Sequence, residues 1–121
     1  MTGLFEVSLV LDFHRLPELF CGFVRRPGQG LTRYPVACNP QAWAAGSAFM
    51  AVQACLGLSI IASERKVVFS YPSLPAFVGE MEIKNLTVGN GSVDFHLRRY
   101  DHDVGITVTR RVGQVEVVAV K

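Results

Sequence analysis

The chain has 121 residues, enough for one domain with a single core. Half are hydrophobic and 18% are charged, a balance that excludes a disordered chain. A net charge of +2 is too small to mark nucleic acid or an acidic membrane as the partner, and neither is expected.

The N-terminal stretch is read as a helix. Leu4, Phe5, Leu9 and Phe13 fall near helical spacing, although Glu6, Ser8 and Asp12 equally allow an alternating strand. Pro17 should end it, because a proline pushes the preceding residue out of the helical region. The run HRLPELFCGF then sets one carboxylate, Glu18, in an otherwise apolar turn. Three readings stay open for it: a solvated acid, a capping acid, or a general base in a semi-apolar pocket. His14, four residues earlier, could support Glu18 through a hydrogen bond.

GFVRRPGQGLTRYP is a long Gly-, Pro- and Arg-rich loop, a length often associated with function. Its Arg25, Arg26 and Arg33 are either solvated or available to an anion or sugar hydroxyl. The next stretch, NPQAWAAGSAFMAVQACLGL, predicts a helix with Asn39 as N-cap, Pro40 in the first position and Gly57 as the stop. No charged residue occurs from Tyr34 through Ser63. Gln41, Ser47, Gln53 and many small residues make this a poor membrane span, so no membrane is expected. A helix apolar on all sides is normally covered on all sides, and 121 residues hardly supply the cover. Small residues from Ala44 to Ala48 would let other helices approach closely.

After Ser63 the hydrophobic period becomes two. Strands are expected over 66–70, 80–88, 93–97, 104–110 and 114–120, with a hairpin at Asn90-Gly91 and a turn at Gly113. The fold class is therefore α+β: one or two N-terminal helices followed by an antiparallel meander of about five strands. Residues 1–121 read as a single domain, helical over 1–62 and β over 63–121.

Few motifs carry chemistry. Asp101-His102-Asp103 reads as a polar turn, since no second cluster supplies further metal ligands. His96 belongs to the solvated face of its strand. Cys21 has no recognisable activating neighbour. Three cysteines without a Cys-x-x-Cys pair oppose both a disulfide framework and a zinc site. With no secretory pattern at the start, a cytoplasmic protein with reduced thiols is expected. There is no G-x-S-x-G, phosphate loop or dinucleotide fingerprint, so neither metal nor cofactor is expected. Tyr34 and Trp43 offer aromatic surfaces that serve either packing or stacking on a sugar ring.

RLPELFCGF followed by YPVACNPQAW resembles the C-terminal part of bacterial glycogen-debranching or amylo-alpha-1,6-glucosidase-type proteins, and the resemblance runs over nearly the whole chain. It implies a catalytic (α/α)6 barrel of which the helix beginning at Pro40 would be the last. By the same resemblance Glu18 stands where related glycosidases carry the general base. Gln41 and Trp43 would lie near the sugar pocket, with Arg25 and Arg26 as weaker contacts. The resemblance also places the proton-donating acid earlier in the barrel, among elements this sequence does not contain. The expectation is a stand-alone homologue of that C-terminal segment, inactive alone. Self-association or a separate chain supplying the rest of the barrel would complete it, with an α-glucan or oligosaccharide as ligand. The alternative is a non-catalytic carbohydrate-binding or oligomerisation module.

Overall fold

Fifteen residues from Ala42 to Leu56, rich in alanine and free of β-branched runs, form the one long helix among the described residues. The computed structural model describes residues 2–24, 26 and 30–121. In chain order these form α1 (Thr2–Ser8), a 3-10 turn (Asp12–His14), α2 (Ala42–Leu56), β1 (Leu58–Ile61), a second 3-10 turn (Ala62–Glu64), β2 (Lys66–Ser70), β3 (Glu80–Val88), β4 (Gly91–Arg99), β5 (Val104–Val112) and β6 (Glu116–Val120). The class is α+β. The chain divides into two compact units, Met1–Ala51 and Val52–Lys121. No helix among the described residues is long and apolar enough to cross a membrane.

The helices differ from the expectation at their ends. α1 stops at Ser8, and Phe13 and His14 both take positive φ where the chain turns away. α2 starts later than Pro40. The Ala45 N–H donates to the Gln41 carbonyl at 3.0 Å, so Gln41 holds the N-cap position and the cis Asn39–Pro40 peptide lies outside. Gly57 does stop the helix, with φ +53°; a Cβ there would fall 2.0 Å from the Ser70 carbonyl oxygen.

The β unit departs from a simple meander. It has six strands, not about five, in two three-stranded sheets ordered β1-β2-β6 and β3-β4-β5. Leu58–Ile61, taken with the helix in sequence, is a strand antiparallel to β2; the chain reverses between them at the Ala62–Glu64 turn, where Arg65 takes φ +53° and its N–H donates to the Ala62 carbonyl. β6 does not pair back onto β5. It lies parallel to β2, its Glu116 N–H donating to the Arg65 carbonyl at 2.8 Å. The β3–β4 hairpin is present, but Val88 pairs with Gly91, so the loop is Gly89-Asn90 and Gly89 supplies the positive φ. Gly91 serves packing instead, since a Cβ on it would meet Val115 at 2.8 Å. β3 also carries a bulge at Lys84-Asn85, closed by the Asn85 N–H donating to Asp94 Oδ1 at 2.7 Å.

The core lies between the two sheets. Val93, Phe95 and Leu97 alternate inward from β4, against Val67 and Phe69 of β2, with Leu56, Leu74, Val88, Val104 and Val115 around them. Phe69 and Phe95 meet edge to face, ring centroids 5.1 Å apart. Truncating Phe69 to Ala removes half of that junction. It should cost about 3–5 kcal/mol, read as a lower urea midpoint of the β unit.

Candidate functional site

In the first unit the resemblance motifs come together. After α1 the chain is braced by His14, whose Nδ1 lies 2.9 Å from the Ser8 carbonyl oxygen. That commitment replaces the expected support of Glu18 by His14. Pro17 is buried and fixes the approach. The segment after it runs beside residues 32–38. The Glu18 N–H donates to the Cys38 carbonyl at 2.9 Å, the Cys21 N–H to the Thr32 carbonyl at 3.1 Å, and Phe20 bridges Arg33.

Glu18 therefore does two things at once. Its backbone pairs with Cys38, and its Oε2 accepts the Cys38 N–H at 3.1 Å. Of the three readings open in sequence, the structure shows a carboxylate tied to a backbone amide, half-buried beside the Asn39–Trp43 motif. Among the described residues Oε1 receives no protein donor. One oxygen held by an amide fixes the orientation of the carboxylate.

The other candidates are spread along this unit. Gln41 is half-buried and spends its carbonyl on the start of α2. Trp43 and Tyr34 are 57% and 45% exposed. Arg26 is exposed, and Arg25 lies outside the described residues. Arg33 sits 3.8 Å from Asp12, both solvent-exposed, a pairing of little energetic weight. Cys21 aims its thiol weakly at the Arg33 carbonyl at 3.7 Å, and Cys21, Cys38 and Cys55 are all free thiols.

The β unit holds a feature that sequence did not single out as a site. An open cleft of about 500 Å³ lies between the Pro72–Ala76 link and the β4–β5 turn carrying Asp101-His102-Asp103. The only signal was that polar triplet facing a proline-punctuated segment thirty residues away. Asp103 organises the turn: its carbonyl accepts the Tyr100 N–H at 2.8 Å, and its Oδ1 accepts the Val104 N–H at 2.7 Å. Its Oδ2 takes the Lys121 ammonium. No group of three or more His, Cys, Asp or Glu side chains converges as a metal would need, among the described residues. His96 is half-buried and lies 3.6 Å from Glu80, which also approaches Arg98. No family model, curated protein or solved structure matches the chain.

Two outcomes follow from these contacts. Glu18→Ala should expose the Cys38 amide, raising its hydrogen-exchange rate about tenfold, whereas Glu18→Gln keeps an acceptor oxygen and most of the protection. At the turn, the Lys121 ammonium foremost, and the Val104 N–H after it, hold Asp103 below the usual carboxylate range despite a desolvation penalty that opposes them. A carboxyl depressed in the folded state contributes stability above its unfolded value and loses it as pH falls through the depressed one. Asp103→Asn should therefore melt below the wild type at neutral pH, and the two melting temperatures should converge on acidification.

Proposed function

We propose that residues 2–51 are one section of a larger helical assembly of the debranching-glucosidase type, and that this chain alone hydrolyses no glycoside. The assembly is completed by self-association or by a separate chain carrying the rest of an (α/α)6 barrel and its proton-donating acid. One observation carries this reading. Thirteen large apolar side chains are exposed among the described residues of 2–51, including Phe49 at 79% and Met50 at 70%. Among the described residues there, only Val7, Leu11, Pro17 and Ala44 are buried. Exposed apolar surface on this scale marks an interaction face.

The geometry around Glu18 supports the same reading. Its Oε2 is anchored, and among the described residues Oε1 receives no protein donor, an arrangement compatible with an inherited base. Inverting hydrolysis also needs an acid across the bond, about 6.5–9.5 Å from the base. Within 1–51 the other carboxylates are Glu6 and Asp12, and the Asp12 side chain is 82% exposed beside Arg33. The exposed Trp43 favours a second reading, a non-catalytic module that stacks a sugar ring or oligomerises.

Sedimentation and a glucose assay test these together. The purified chain should self-associate, and Phe49→Glu with Met50→Glu should weaken that about a hundredfold while leaving the circular dichroism intact. A monomer would leave only the separate-chain form. Glucose released from a branched α-glucan by this chain alone would overturn the proposal. In an assembly completed by the missing acid, Glu18→Gln should abolish hydrolysis and spare association; lost association instead would make Glu18 a structural contact.

A further inference from the structure

The cleft of the β unit has walls that are fixed before any ligand arrives. On one side Ser73 donates both its N–H, at 2.8 Å, and its Oγ–H, at 3.2 Å, to the Cys55 carbonyl. On the other the Arg99 N–H donates to the Gly79 carbonyl and the Tyr100 N–H to the Asp103 carbonyl, each at 2.8 Å. Asp103 is itself locked by Lys121 and Val104. Walls held by main-chain bonds lose little entropy on binding, and about 500 Å³ lies within the range of small-ligand sites.

The groups that remain uncommitted define the ligand. Arg99, Asp101 and His102 line the cleft, and among the described residues none has a side-chain hydrogen bond or ion pair. Arg99 offers donors only, Asp101 acceptors only, and His102 one of each when neutral. An anion would gain from Arg99 and be repelled by Asp101, and a cation would meet the reverse. A neutral ligand whose hydroxyls each donate and accept satisfies both. Tyr100 adds an apolar wall. The residue is 57% exposed, and its ring is contacted by Arg98, 5.8 Å from the ring centroid, and by Gly105, where any Cβ would fall 2.8 Å from the ring.

We propose that this cleft binds a neutral polyhydroxylated ligand, a short oligosaccharide, with Arg99 and Asp101 bridging neighbouring hydroxyls and Tyr100 contacting the ring's apolar face. The site needs neither Glu18 nor the helical unit, so it stands or falls apart from the function proposed above.

Amide shifts and saturation transfer on the full-length ¹⁵N-labelled chain, titrated separately with maltotriose and cellotriose, test it. At least one sugar should shift amides confined to 72–76 and 99–104. Asp101→Asn and Arg99→Gln should each weaken binding about tenfold. Because both side chains are exposed, unaltered circular dichroism should accompany the loss. No response to either sugar overturns the proposal. So does a response centred on residues 18–43 that Trp43→Ala removes, or affinity unchanged in Asp101→Asn. Shifts at the cleft with inorganic phosphate but with neither sugar would identify an anion site and overturn it as well.

Discussion

The edge-to-face contact of Phe69 with Phe95 is the constraint around which the β unit is arranged. Neither three-stranded sheet could stand alone, since each would leave one apolar face in water. Phe69 sits in the middle strand of one sheet and Phe95 in the middle strand of the other, both essentially inaccessible to solvent. Most departures from a plain meander serve this junction. The turn at Ala62–Glu64 returns the chain so that Phe69 pairs with Leu58. The bulge at Lys84-Asn85 lets β3 follow β4 while Ile83 still pairs with Phe95. β6 completes the sheet of Phe69 instead of extending the sheet of Phe95.

Residues 2–51 are organised by other means. Their order comes from main-chain hydrogen bonds and one carboxylate, not from a buried apolar cluster. The link between Glu18 and Cys38 satisfies polar groups but contributes only about 1–3 kcal/mol, far less than a core supplies. The segment has well-placed backbone pairs while Phe49, Met50 and Trp43 stay exposed, so its local geometry is specified without burial of its apolar side chains. The uncharged run from Tyr34 through Ser63 carries the same message, because charge is what keeps a helix face in water.

How much of this was legible depended on whether the signal was local. The bounds of β3 and the inward residues Val93, Phe95 and Leu97 could be read because alternation and turn residues act over a few positions. β1 was hidden because Leu58-Ser59-Ile60-Ile61 continues the apolar composition of the helix, and four residues are too few to declare a period. The parallel pairing of β6 with β2 joins residues fifty positions apart and leaves no mark in either strand. Glu18 stood out as an isolated acid, yet its partner is a backbone N–H twenty residues away, which any residue but proline would provide. The β-unit cleft was illegible for a related reason. The polar turn could be read, but not the link that faces it.

Charge placement separates the two candidate sites most clearly. Lys66 is flanked by Glu64 at 2.9 Å and Glu116 at 3.7 Å, and Asp103 is matched by Lys121, so these charges are spent on holding strands and turns. What is left unspent in the β-unit cleft beside the Asp101–Asp103 turn is a donor set and an acceptor set lining one space, Arg99 and Asp101. What is left unspent around Glu18 is a single oxygen. A lone acceptor can orient a water molecule but cannot also protonate a leaving group. On the proposed function, chemistry at Glu18 would require a second carboxyl brought by a covering surface, whereas the proposed recognition at the β-unit cleft would use only groups of that unit. Covering the helical unit and completing its catalytic pair would then be one event, because a single incoming surface would supply both the apolar burial and the acid.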